Sequence, residues 1–530
     1  MGPVSENQPK QSRLGPVAGV GRRIQVAGFV IIALVAGLGY GYAKPAASAS
    51  VAHTAGGAIT SPVNTAEVVC PVVKDSADTN VGVFTPTTVT ASGTGTATIS
   101  QLSQLGGTGK PKTVLTVGKP GELVSTAQSL NGAVTGNVTE LSDPVVAKVT
   151  GPNAPGFTLT ESNVPGPQVE SGAASENCGS PDTDFWFTGL GGSKSEFSLL
   201  NMVDADAIPA SVNVTVYSTS GPLAGNDATA LQGLTITAGS QVQELISTIA
   251  QNQTAPYAVH VVATVGRVAA AVVDYDSDGA GRDFIGAQKA ASTLVLPGIP
   301  QAEDSEKLQL SLLSPNAPAS VALRWVGQST IVPATGTFSG ELDQGKVTAV
   351  DLSSVANVGE YAALEVCGAA SGSNQCLPIT GSNGPIDIVG EIKVAQSDSS
   401  GKDIAYITPV TALSGEGVVA HNLTSSVLTL TNTGSTTATV KVTQIPNGKT
   451  PTPVTNTYTV KPGATLGQSL TMPKGATDYA LTVSPAGGTV YAARIGGSGH
   501  QLTIQPLSTA AETVTIPTVG QDVSGLVPQN

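Results

Sequence analysis

The chain has 530 residues, of which 40% are hydrophobic, 12% charged and 4% aromatic, and its formal net charge is −13. That length exceeds what one hydrophobic core organises and predicts roughly three to five domains, while the hydrophobic share excludes wholesale disorder. The acidic balance argues against nucleic acid or anionic lipid as a partner, because both need a basic patch that displaces counterions.

Residues 1–23 form a basic tail with Lys10, Arg13, Arg22 and Arg23, followed by the uncharged run "VAGFVIIALVAGLGYGYA" at Val26–Ala43. A span of about 18 apolar residues just crosses a bilayer, so 24–43 is predicted as a transmembrane anchor. Basic residues before it and few after it place the remainder outside the cytoplasm. The alternative is a signal peptide cleaved near Ala47-Ser48-Ala49, which releases a secreted protein. Residues 44–65 are the linker. The first cysteine, Cys70, lies far beyond the apolar run, which speaks against a lipoprotein.

The chain from residue 66 to about 190 is β-rich, with strand candidates in "TVTASGTGTATISQL", "TVLTVGKPGELVST" and "PVVAKVTGPNAPGFTL". A repeat follows. "EFSLLNMVDADAIPASVNVTVY" from Glu196, "KLQLSLLSPNAPASVALRWV" from Lys307 and "SSVLTLTNTGSTTATVKVTQI" from Ser425 each read strand, polar turn, strand. The first two share Pro-Ala-Ser-Val, at Pro209–Val212 and Pro318–Val321. Val212, Val214 and Val216 show the two-residue period of a strand with one buried face. Modules of roughly 110 residues with turn signals every 8 to 12 match a β-sandwich of immunoglobulin-like or related topology. The expected fold is all-β, with repeats at 191–301, 302–413 and 414–511 and a tail at 512–530.

Four cysteines in an oxidising space predict two disulfides. Cys367 and Cys376 flank "GAASGSNQ", so a hairpin staple is the simplest pairing and leaves Cys70 with Cys178. A metal site at these cysteines lacks a nearby His and any C-x-x-C.

Several features together resemble a family: Cys70-Pro71, Cys178 followed by Asp184 and the aromatic run Phe185-Trp186-Phe187, Gly189, the strand end Leu199-Leu200-Asn201, and the "VHVVATVGRVAAAVVD" hairpin. The chain is similar here to actinobacterial extracytoplasmic proteins grouped as a domain of unknown function, DUF 5719. The resemblance runs from about residue 66 onward and is strongest between 145 and 300. It implies a membrane-associated or secreted β-protein and supplies no catalytic residues.

One stretch suggests a metal. In "VVDYDSDGAGRDF", Asp274, Asp276 and Asp278 alternate before Gly279, like the first half of a calcium loop. The twelfth position from Asp274 is Ile285, where an EF-hand needs a bidentate carboxylate, and Arg282 sits inside the loop. A looser calcium loop completed by Asp283 stands against a plain solvated turn, which the equivalent stretches "IKVAQSDSSGKD" and "ARIGGSGH" favour. No other cofactor is indicated. His53, His260, His421 and His500 are scattered without a nucleophile motif, so no enzyme is expected. Trp186 and Trp325 fall among apolar residues and are expected in cores rather than on a sugar-binding face. The expectation is a membrane-anchored structural or binding component of the cell envelope, with an envelope protein or polymer as partner. A carbohydrate or wall-polymer binding module is the alternative, and an unrecognised hydrolase ranks below it.

Overall fold

The structure is a computed structural model that describes residues 59–71, 79–102, 113–115, 118–125, 144–163, 172–225, 229, 231–250, 255–276, 281–300, 306–334, 338–352, 358–368, 376–398, 401–447, 452–497 and 501–516. The predicted anchor at 24–43, the linker, His53, Asp278 and His500 lie outside these residues. Among the described residues no helix is long and apolar enough to cross a membrane.

Short strands rich in Val, Thr and Ala are joined by turns, and they group into four modules at 65–177, 184–285, 294–407 and 417–507. Each module has two four-stranded antiparallel sheets with the same path. The fourth shows it most simply, with strands Gly417–Asn422, Ser426–Asn432, Ala438–Pro446, Val454–Val460, Ala464–Leu470, Tyr479–Ala486, Val490–Gly496 and Thr503–Leu507. One sheet is ordered first, sixth, third, fourth, and the other fifth, second, seventh, eighth. In the second and third modules short extra ribbons, Leu234–Ile236 and Glu341–Leu342, pair with the third strand without altering this order.

This places the module boundaries differently from the sequence repeats. Asp184–Leu190 falls in the 66–190 region by sequence, but it pairs with Tyr257–Val265 and is the first strand of the second module. Leu294–Pro300 likewise pairs with Tyr361–Gly368 and opens the third module instead of ending the repeat at 301. The β-rich region before the repeats, at 65–177, follows the same two-sheet path as the others. The repeats match from the second strand onward, where the turn into the third strand shares Pro-Ala-Ser-Val at Pro209–Val212 and Pro318–Val321.

The two sheets of each module face one another across an apolar core. In the second module Val212, Val214 and Val216 of one sheet meet Leu200, Met202 and Val272 of the other, and Ala210–Ser218 alternates buried and half-buried side chains along its length. The third module centres on Trp325, Leu310, Leu364 and Ile392. Removing such a side chain from a packed core costs about 2–5 kcal/mol.

Other strands are buried on both faces, because each module also packs on the next. Val69 and Val146 of the first module meet Val203 and Ala269 of the second. Trp186 and Ala258 of the second meet Leu313 and Val389 of the third. Val295 and Ala363 of the third meet Tyr491 of the fourth, and Val418, Ala420 and Ala480 of the fourth meet Phe84 and Leu123 of the first. The four modules therefore close into a ring within the compact unit Thr60–Val514. Side chains from one module also complete the core of another: Ile404 and Tyr406 of the third enter that of the second, and Leu502 and Ile504 of the fourth enter that of the third.

Both expected disulfides form, Cys70 with Cys178 and Cys367 with Cys376. The first links the opening strand of the first module to the residue following its last strand, Ala174–Asn177.

Candidate functional site

The eighth strands of the modules, Ala174–Asn177, Gly281–Ile285, Gly401–Ile407 and Thr503–Leu507, adjoin one another in turn around the middle of the ring. Glu176, Asp283, Asp403 and Gln505 lie on these strands and pair with Glu161, Asp274, Gln396 and Arg494 on the respective seventh strands. Each module thus contributes one carboxyl or amide from its eighth strand. Polar side chains this deep persist only where backbone or partner groups satisfy them.

Asp403 shows how that is done. Its carboxyl accepts from Ile404 N (2.9 Å), from Leu502 N of the fourth module (2.7 Å) and from Ala173 N of the first (3.1 Å), so one side chain ties three modules together. Burial pushes it up to about 7 against those hydrogen bonds and the Arg282 charge. Asp283 is equally buried and pushed well above the usual carboxylate range, with the amides of Phe284, Ser175 and Tyr406 opposing the shift. Gly172 lets these chains approach. It has φ +116°, and a Cβ there would stand 2.5 Å from Asp403 Oδ1 and 2.8 Å from Arg282 N.

Glu161 lies behind this ring, fully buried and raised to about 8 by burial, with the Arg282 charge opposing. Burial, reinforced by Glu161 and Asp283, also raises Glu176 well above its ordinary value. Beside them opens a cavity of about 310 Å³ lined by all four modules, with Glu176, Phe284, Thr408 and Gln505 among its walls and the exposed Gly179 and Ser508 at its rim.

Of Asp274, Asp276 and Asp278 in the candidate calcium loop, the first two lie among the described residues. Asp274 is fully buried. Its Oδ1 accepts from Ser198 Oγ (2.5 Å) and Gly191 N (3.3 Å), and its Oδ2 from Tyr406 OH (2.6 Å) and Lys393 Nζ (3.4 Å). Both oxygens are hydrogen-bonded, and through Tyr406 and Lys393 Asp274 fastens the second module to the third. Lys393 also donates to Glu196 (2.7 Å). Burial works against its charge, but Asp274 and Glu196 outweigh that and hold it above its ordinary value. Asp276 is half-buried opposite Gly281, and Asp283 is committed to the backbone around the ring centre. Among the described residues, the groups spaced to hold a metal are Cys70, Glu161, Cys178 and Glu365, Cys367, Cys376, and in both the sulfurs are spent in disulfides.

Of the remaining candidates, Trp186, Trp325, His260 and His421 are among the described residues. Trp186 is buried between modules and stacks on His260 at 3.8 Å, and Trp325 is buried in the third core. His260 Nε2 lies 3.3 Å from Asp184. His421 is buried between the fourth and first modules, 3.3 Å from Asp478, which also accepts from Ser125 Oγ. That serine is bonded to the carboxylate rather than to the imidazole, so the trio is not ordered as a nucleophile, base and orienting acid.

Sequence reasoning missed Glu161, Glu176, Asp403 and Gln505. A signal existed in Gly281-Arg282-Asp283-Phe284 and Gly401-Lys402-Asp403-Ile404, a Gly, base, Asp, apolar pattern that recurs at the start of two eighth strands.

The class this defines is a tandem β-sandwich protein closed into a ring, with polar groups at its centre. Residues 124–473 match the family of unknown function DUF5719, and the chain belongs to that family. No curated protein matches it. Among solved structures, the crystal structure of a tetra-tandem repeat in the extending region of a large adhesion protein aligns at 12% identity over 85% of this chain and 99% of that one, with a TM-score of 0.08, too poor a superposition to carry an inference.

Proposed function

We propose that this protein is a rigid, non-catalytic structural or binding component of the cell envelope, anchored through residues 24–43 with its modules on the extracytoplasmic side. The observation that carries this reading is the ring: four modules fastened by apolar contacts and buried polar pairs make a stiff platform whose outer loops are free to meet partners. Two disulfides fit an oxidising space. A net charge of −13 favours a protein or neutral polymer partner over nucleic acid. The test is crosslinking of the intact protein in native membranes followed by mass spectrometry. A reproducible envelope protein crosslinked to the loops of one module is the expected result. Recovery of the protein attached only to wall polymer would move polymer binding to first place, and recovery from the cytoplasmic fraction would overturn the reading.

A further inference from the structure

The two sulfurs of Cys70–Cys178 have unequal settings. Cys70 is fully buried in the core of the first module with Val68, Val81, Val145 and Leu159. Cys178 is half-buried and lines the cavity of about 310 Å³ beside the exposed Gly179, whereas Cys70 is not part of that wall. A reagent arriving through the cavity therefore meets Cys178 first. On the buried side stands Glu161, and its carboxyl and the two sulfurs lie within 4.8 Å of one another. Both Glu161 oxygens are buried and have no hydrogen-bond partner among the described residues. An ionised carboxylate is costly in such a place, so the group keeps its proton. The groups around it do not reverse this. Arg282 opposes the shift without cancelling it, and Glu176 on the neighbouring strand and Asp283 beyond it are themselves raised by burial.

That proton has a use. Thiol–disulfide exchange expels one sulfur as a thiolate, and a thiolate released into an apolar core is unstable unless it is protonated there. We propose that Cys70–Cys178 is an exchangeable disulfide, opened by a small dithiol that enters the cavity and attacks Cys178, with Glu161 protonating the departing Cys70 sulfur. The first thiolate of the dithiol bonds to Cys178 Sγ as the Cys70–Cys178 bond breaks. The electron pair leaves on Cys70 Sγ, which takes the Glu161 proton. The second thiolate then attacks the reagent sulfur bonded to Cys178, and Cys178 departs and takes a proton from water. The dithiol ends as a cyclic disulfide, the protein pair is reduced, and Glu161 regains its proton from solvent. The cavity is large enough to admit a small dithiol. Reduction unties the opening strand of the first module from the segment that leads into the second. The inference goes beyond the envelope role and is read on the purified chain, so either can fail without the other.

The test follows each disulfide of the folded full chain under dithiothreitol, by acid quenching and peptide mass spectrometry, across the pH range in which thiols ionise. In the wild type the rate for Cys70–Cys178 should climb with pH and level off near pH 8, where Glu161 gives up its proton. Glu161→Gln should slow that step about tenfold or more in neutral solution and remove the levelling. Cys367–Cys376 is the internal control, because Glu365 beside it is held by Arg324 (2.7 Å), and its rate should not respond to the variant. Gly179→Phe, where an added Cβ meets open space, should cover Cys178 and slow only its pair. With mercaptoethanol the mixed disulfide should form on Cys178. A mixed disulfide on Cys70, a Glu161→Gln profile of unchanged shape, an unchanged rate in Gly179→Phe, equal slowing of both pairs, or reduction of Cys70–Cys178 only once urea unfolds the chain would overturn the proposal.

Discussion

Asp274 is a polar residue in a strand of alternating pattern, and only its neighbours from another module make its burial tolerable. Asp274→Ala leaves the Tyr406 hydroxyl and part of the Lys393 charge unmet and should cost about 3 kcal/mol, read as a lowered urea midpoint. Adding calcium or a chelator should leave that midpoint unchanged in the wild type; a rise with calcium would restore the metal reading. Glu161 and Asp403 make a prediction of opposite kind. Both are raised in the fold, so the folded state binds more protons than the unfolded chain, and stability is fullest at low pH and falls as pH rises. The decline runs from 4.5 to about 8 for Glu161 and from 3.8 to about 7 for Asp403. Asp478 runs the other way. Burial tends to raise it, but His421, Ser125 and Asn447 hold it below 3.8, so its contribution is lost only in acid. The urea midpoint should drop between about pH 5 and pH 8, a loss on the order of 2–4 kcal/mol, and Glu161→Gln should flatten the slope. A midpoint that climbs over that range would show these carboxyls ionised in the fold.

At the scale of the element, the opening strands of the second and third modules carry bulges where they meet the next module. Register shifts at Gly189 and at Gly298, with φ +80° and +85°, re-aim each strand. A Cβ on Gly298 would stand 2.5 Å from Ala493 Cβ in the fourth module. Gly298→Ala therefore meets both a strained backbone and a clash across the interface, and should lower stability by about 2–3 kcal/mol. Ala493→Gly should recover part of that loss by removing the clash, whereas no recovery would place the whole cost in the backbone. The third strands, with Val212, Val321 and Val440 facing inward, were legible because one face meets a core and the other water. The eighth strands were not. Gly281–Ile285 is buried throughout, so no alternation marks it, and its Arg and Asp read as a solvated turn until the other modules are set around them.

For the whole molecule, ring closure makes the modules interdependent. The third core is finished by Leu502 and Ile504 from the fourth module, and the first and fourth modules share the contact of Phe84 with Val418. The intact chain should unfold in one calorimetric transition, and a chain ended at residue 413 should lose cooperativity and expose apolar surface to dye; four separable transitions would show modules strung without closure. By itself the sequence determined the all-β class, the inward faces of the third strands and both disulfide pairings. Those follow from local alternation, turn residues and the count of cysteines. Only the tertiary structure decided where each module begins, that the 65–177 region shares the path of the others, and that Glu176, Asp283, Asp403 and Gln505 meet at one centre. These depend on pairings between distant strands and on packing between modules, which leave no period in the chain.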